Sequence, residues 1–297
     1  GAERAERLVV SAIEHASVLS GGRFAPETIR MIGVTREGVV DLARLRIQLE
    51  GPPALVSIML ANNETGAIQP VAEAAEMVHA AGGLLHVDAI QALGKIPFDL
   101  ASTGADLISL SAHKIGGPKG VGALVLAEGV EGISPLLRGG GQEKGRRAGT
   151  EDVAGIAGFG AAAKAALAGR DEDAGREEGL RERFENSLKQ TPGAIVFAEE
   201  TRRLPNTVLF AIPELRAETA VIGFDLAGIA VSSGSACSSG KVQPSHVVEA
   251  MGYGPELARG AVRLSLGWST TSADIESALE AWRKLADGLL KGRRNTA

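Results

Sequence analysis

Only one cysteine, Cys237, occurs among the 297 residues. A single thiol cannot close an intramolecular disulfide or build a cysteine-based zinc site, so a reducing, cytoplasmic setting is expected. Aromatic residues make up 3% of the chain, so its cores must be built mainly from Ala, Val, Leu and Ile. No uninterrupted apolar run approaches the roughly 18 residues that mark a transmembrane helix, and no secretory leader pattern is present. Positive charge is also in short supply. The 31 Lys and Arg are outnumbered by 36 Asp and Glu, for a net charge of −5. That balance argues against a nucleic-acid or anionic-membrane binder, which needs a basic face. His79 and His246 stand at no metal-ligand spacing, and no metal site is expected.

Hydrophobic residues at 44% and charged residues at 23% place the chain among soluble globular proteins. Apolar runs at 8–13, 55–61, 84–88, 106–111 and 122–127 are each bounded by turn signals and read as buried strands. The Ala-rich stretch 71–81, closed by Gly82 and Gly83, reads as a helix between two of them. Strand–helix–strand units of this size predict an α/β fold, a mostly parallel sheet flanked by helices. A helical region is expected over 151–190. Its charge-rich part, 171–183, mixes both signs and reads as a solvated face. Beyond it, strand patterns at 195–198, 206–212, 229–232 and 261–266 alternate with helical ones at 214–227, 244–251 and 273–290. The chain is therefore expected to divide into a large domain over 1–164 and a smaller α+β domain over 165–297.

Cys237 sits in Ser-Ser-Gly-Ser-Ala-Cys-Ser-Ser-Gly, 232–240. A structural free cysteine buries itself among apolar neighbours, whereas a Ser/Gly tract reads as an exposed loop. The thiol is either incidental or placed to react. Lys114 lies in Ser-Ala-His-Lys, 111–114, after an apolar strand and before a Gly-rich turn. Alone it reads as a loop lysine. In a partly dry crevice its pKa would fall enough for it to attack carbonyls. Asp88 ends the preceding strand in His-Val-Asp-Ala-Ile-Gln, 86–91. A lysine that can hold an aldehyde, beside a carboxylate that can keep a pyridine nitrogen protonated, is what pyridoxal 5′-phosphate (PLP) requires. In parallel sheets ligands bind beyond the carboxyl ends of the strands, where both residues fall. The Gly139–Gly141 tract with Arg146 and Arg147 lacks the Gly-Lys-Ser/Thr ending of a P-loop.

The ordered set Asn62-Asn63-Glu64-Thr65-Gly66, His86–Gln91, Ser111–Lys114, Ser232–Gly240 and Val262-Arg263-Leu264-Ser265 resembles the cysteine desulfurases. These are class V aminotransferases of PLP fold type I, and the likeness runs from about residue 7 to 290. The Cys237 loop resembles the subgroup serving nitrogenase and general iron–sulfur cluster assembly. The resemblance implies a PLP enzyme that converts L-cysteine to L-alanine and leaves a persulfide on Cys237 for an iron–sulfur scaffold or other acceptor protein. It implies that Lys114 binds the cofactor aldehyde, Asp88 its pyridine nitrogen and Gln91 its 3′-oxygen. His15 would stack on the ring and handle protons, and Ser111 and His113 would bind the phosphate. Asn63 would touch cofactor and substrate, and Arg263 would grip the substrate carboxylate. Thr150 would reach the phosphate of the other subunit of a homodimer. The family carries a further phosphate-cradling segment upstream of the position matching Gly1, so the chain is expected to lack it. The alternatives are a selenocysteine lyase or aminotransferase of the same fold, or a non-catalytic scaffold.

Overall fold

The computed structural model describes residues 5–130, 133–234 and 243–296, with side chains to 288. Cys237 lies outside the described residues. The chain forms two compact units, one of residues 1–33, 40–61 and 69–170, the other of 34–39, 62–68 and 171–297.

The first unit opens with β1 (Arg7–Ser11), α1 (Ala16–Leu19), β2 (Ile29–Ile32), α2 (Leu42–Gln48) and β3 (Ala54–Met59). It continues through α3 (Val71–Ala80), β4 (Leu84–Asp88), α4 (Leu100–Thr103), β5 (Leu107–Ser111) and β6 (Gly122–Leu126). Its sheet has the order β2-β1-β3-β4-β5-β6, parallel throughout except for β6, which runs antiparallel to β5. Val9, Val56, Ile58, Leu85 and Val87 are completely buried, which is why β1, β3 and β4 read as continuous apolar runs. Helix α3 buries Val71, Ala74, Ala75 and Val78, one stripe at helical spacing. Two strands depart from the sequence reading. The short β2 exposes Arg30 and Met31 at the edge of the sheet and shows no apolar run. β6 was expected to be buried, but Leu124 is 49% and Val125 37% exposed. It ends the sheet with a neighbour on one side only.

Helix α5 (Val153–Leu188) begins in the first unit and ends in the second. Then come β7 (Ile195–Val196), β8 (Thr207–Ala211), α6 (Ala217–Leu226) and β9 (Ser232–Ser233). The chain closes with α7 (His246–Ala250), α8 (Pro255–Gly260), β10 (Val262–Ser265) and α9 (Ser272–Thr296). The second sheet, β7-β8-β10-β9, is antiparallel throughout. The scarce aromatics gather in this unit. Phe210 meets Phe184 and Trp282 edge-on, at centroid distances of 5.7 and 5.2 Å. Such pairs add to the gain from burial alone. The Trp282 indole N–H is satisfied by Thr191 Oγ1 at 3.0 Å. Among the described residues, no helix is long and apolar enough to cross a membrane.

Candidate functional site

In the first unit, the carboxyl ends of β1, β4 and β5 deliver three of the expected site residues. Beyond β1, His15 is the N-cap of α1, and its Nδ1 accepts the Ser17 N–H at 3.2 Å. That bond requires a bare Nδ1, so the ring proton sits on Nε2, and the Ser17 hydroxyl donates to the same nitrogen at 2.8 Å. Asp88 closes β4 at 6% exposure, and its Oδ1 accepts the Ile90 N–H at 2.9 Å. Burial pushes the Asp88 carboxyl up from the usual range, while the Ile90 N–H and the charges of His15 and Lys114 pull it back. Electrostatics thus tie Asp88, His15 and Lys114 into one cluster. Lys114 follows β5 in a single 3-10 turn, Ala112–Ile115, and is exposed. The Ser111 hydroxyl meets His113 Nδ1 at 2.8 Å.

Two further buried groups, Glu14 and His86, belong to this cluster or its support, and neither was assigned a role from sequence. The Glu14 carboxyl is fully buried, and its Oε1 accepts the Met59 N–H at 2.7 Å. Burial holds it well above the usual carboxyl range, and the Asp88 charge raises it further. Of these two acids Asp88 is the one beside a cation, Lys114, which favours its charged form, whereas Glu14 is raised further by the Asp88 charge. His86 spans three strands, meeting Ser57 and Ser109 at 2.7 Å on its two ring nitrogens. Burial lowers its pKa to about 4, so the ring is neutral. Gln91 and Thr150 lie in irregular segments of this unit, half-buried and exposed respectively.

In the second unit, the 62–66 turn explains its own sequence. Asn62 Oδ1 accepts the N–H groups of Glu64 and Thr65, each at 2.9 Å. The Asn62 carbonyl takes the Gly66 N–H at 3.0 Å. Gly66 has φ +78°, a conformation glycine adopts without steric cost. With the turn so closed, the Asn63 carbonyl accepts from Arg263 Nη1 at 2.7 Å. Asn63 Oδ1 and Arg263 Nε are buried and have no hydrogen-bond partner among the described residues. Native proteins rarely leave such atoms unanswered unless a ligand or water meets them. This places Asn63 and Arg263 together.

The same turn sends Glu64 inward at 2% exposure, where its Oε2 accepts the Ser245 hydroxyl at 2.5 Å. Burial pushes the carboxyl from 4.5 to about 7, against the opposing pull of Ser245 and the Arg263 charge. Sequence reasoning had no signal for this contact, because its partners lie far apart in the chain.

Three comparisons bear on these arrangements. The family model described as aminotransferase class-V matches residues 2–278. A cysteine desulfurase of Cereibacter sphaeroides is 46% identical over 287 residues, covering 95% of this chain and 73% of that protein. A cysteine desulfurase of Gluconacetobacter diazotrophicus is 45% identical over 278 residues, covering 92% of this chain and 69% of that one. Among solved structures, a NifS-like protein from Rickettsia africae superposes with a TM-score of 0.88 at 38% identity, covering 95% of this chain and 76% of that one. The chain belongs to the class-V aminotransferase family, on its cysteine desulfurase branch.

Proposed function

We propose that this chain is a PLP-dependent cysteine desulfurase that takes the sulfur of L-cysteine onto Cys237 and releases L-alanine. The observation that carries this reading is the cluster of Asp88, Lys114 and His15 at the carboxyl edge of a parallel sheet, in a chain of this family. Enzymes of this family are in general PLP-dependent, and the residues present fit that cofactor. Asp88 Oδ2 accepts no hydrogen bond among the described residues, so it is free for a ring N–H. Lys114 makes no hydrogen bond or ion pair among the described residues and is free for covalent attachment. Gln91 would bond the 3′-oxygen. When bound, PLP supplies an electron sink for carbanion chemistry next to the substrate nitrogen.

The remaining work falls to the protein's own groups. Asp88, with Lys114 favouring its charged form, would offer a carboxylate to the ring nitrogen. His15, with its proton on Nε2 and its ring fixed through Ser17, packs on the cofactor face and passes protons. If His113 carries its proton on Nδ1 and donates to Ser111 Oγ, the Ser111 hydroxyl proton is left for a phosphate oxygen. Arg263 would take the substrate carboxylate through its open Nε, and the open Asn63 Oδ1 would accept from a substrate N–H. The Lys114 amine would move protons at the substrate carbons. The Cys237 thiolate attacks the substrate sulfur. An S–S bond forms as the substrate C–S bond breaks, and the carbon that loses sulfur gains a proton. Sulfur is oxidised and carbon reduced, so no outside electron donor is needed. The persulfide then passes to an acceptor protein of iron–sulfur cluster assembly.

A homodimer with Thr150 reaching the second phosphate site fits the exposed apolar residues of the first unit, among them Leu136 at 79%, Val153 at 73% and Ile156 at 47%. The test is chemical. The chain loaded with PLP should show a visible absorbance that borohydride removes, leaving added mass on Lys114. With L-cysteine and a thiol reductant that strips the persulfide, it should yield alanine and sulfide in equal amounts. Cys237→Ser should still bind cysteine but form no persulfide. Keto-acid products would point to an aminotransferase instead, and sustained sulfide release from Cys237→Ser would overturn the role of that cysteine.

A further inference from the structure

Glu64 takes no part in the chemistry above, yet it is the most enclosed acid of the second unit that contacts a catalytic motif. Its Oε2 accepts the Ser245 hydroxyl at 2.5 Å. That hydroxyl oxygen also accepts the Val248 N–H at 3.1 Å, as the N-cap of α7. The same Oε2 lies against Gly234, where a Cβ would stand only 3.0 Å from it and 3.1 Å from the Ser245 side chain. That close approach calls for glycine at 234. Gly234 N–H is held by the Ala261 carbonyl at 2.9 Å, and Ser245 N–H by the Ala258 carbonyl at 3.0 Å. Gly234 and Ser245 stand on either side of the stretch that bears Cys237. One carboxyl oxygen therefore hydrogen-bonds the chain after Cys237 and sits close beside the chain before it. Its own backbone belongs to the turn that carries Asn63.

We propose that Glu64 is a positioning residue that ties both flanks of the Cys237 segment to the Asn62–Gly66 turn. Both ends of the nucleophile-bearing segment are then referenced to the element that presents Asn63 to Arg263. The hydroxyl of Ser245 is the complementary half of the tie, because it donates to Glu64 and accepts from Val248. Gln at 64 preserves the acceptor that Ser245 needs, whereas Ala removes it. The catalytic half of this inference rests on the desulfurase reading, while the structural half does not.

The experiment compares Glu64→Ala, Glu64→Gln and Ser245→Ala in the PLP-loaded protein. It reads residue-resolved amide exchange at Gly234 and Val248, together with kcat and KM for L-cysteine. Loss of one buried hydrogen bond should speed exchange at both amides about tenfold in Glu64→Ala. Ser245→Ala should do the same at both sites, and it removes only a hydroxyl, so it keeps the test open if Glu64→Ala folds poorly. At pH 4.5, where parent and variant both hold a neutral group at 64, Glu64→Gln should stay within about twofold of the parent. kcat should fall in the Ala variants with KM unchanged, since Arg263 and Asn63 remain. Faster exchange at one flank alone, or at neither, overturns the tie, as does a Gln variant that behaves like Ala. A rise in KM in place of the fall in kcat would assign Glu64 to the Asn63–Arg263 pair and overturn the proposal. If no variant and no parent makes alanine, the exchange results still decide the tie, and the failure belongs to the desulfurase reading.

Discussion

Glu64→Gln should change how the stability of the second unit depends on pH. In the unfolded chain the Glu64 carboxyl titrates near 4.5, and in the folded protein near 7. Between those values the folded state holds a proton that the unfolded state has released. Stability therefore falls as pH rises through this window, and the loss is complete above about 7. At 1.36 kcal/mol for each pH unit between the two values, ionising the buried carboxyl costs the folded state about 3 kcal/mol by pH 8. Gln has no proton to lose and resembles the neutral acid in its bond to Ser245. The two proteins should be nearly equal in stability at pH 4.5, and Glu64→Gln should be more stable by about 3 kcal/mol at pH 8. The assay is urea unfolding followed by tryptophan fluorescence at a series of pH values. Both tryptophans, Trp268 and Trp282, lie in the second unit, and Trp282 is fully buried in its core. Removing Arg263 as well should move the transition of the parent still higher, because the Arg263 charge now holds Glu64 down. Parallel stability curves for parent and Glu64→Gln, or a Gln variant weaker at pH 8, would refute the reasoning.

His86 gives the first unit the opposite dependence. Its ring titrates near 4 when folded rather than 6.5, so acid protonates the unfolded chain first and the unit loses stability as pH falls from 6.5 toward 4. Amide exchange in β3, β4 and β5, corrected for its intrinsic pH dependence, should quicken across that window, and His86→Gln should flatten the response. A second prediction concerns the ion pairs beside α5. Arg203 donates to both Glu185 oxygens, at 2.7 and 2.9 Å, and all of these side chains are about 5% exposed. Arg181 Nε lies 3.6 Å from the same carboxylate. Glu185→Ala strands the buried Arg203 guanidinium, while Arg181 keeps Glu178 at 3.3 Å, and should cost about 3–5 kcal/mol by urea unfolding. Replacing Glu185 and Arg203 together with Leu and Met should cost far less, and equal losses in the two variants would refute the account.

The sequence made the first unit's sheet legible wherever strands are buried on both faces, because β1, β3, β4 and β5 then read as unbroken apolar runs. It failed at the edges. β2 is only four residues with the two central ones exposed, so it shows neither an apolar run nor an alternation, and β6 is apolar without being buried. In the second unit the strands near 207–211 and 262–265 stood out, but the short helix α8 did not, since its Gly and Pro content masks six residues of helix. Asp88, Lys114, Asn63 and Arg263 could be nominated as candidates because they sit in recognisable motifs. Glu14, Glu64 and Ser245 could not, since each owes its importance to a contact made across the fold.

Motif membership also does not separate scaffold from ligand-facing groups, whereas hydrogen-bond satisfaction does. Within 62–66, Asn62 spends its side-chain oxygen on Glu64 and Thr65, so it builds the turn. Its neighbour Asn63 has an Oδ1 that nothing among the described residues answers. Within 86–91, His86 is satisfied at both nitrogens, so it holds strands together, whereas Asp88 keeps an oxygen open. Arg263 follows the same pattern, with Nη1 on a backbone carbonyl and Nε open. A buried polar atom without a partner costs about 1–3 kcal/mol. Two such atoms, on Asn63 and Arg263 of the second unit, therefore mark where a polar ligand is expected. Saturated neighbours such as Asn62 and His86 should govern stability when mutated. Asn63, Asp88 and Arg263 should govern binding, with small effects on the unfolding midpoint of the free protein.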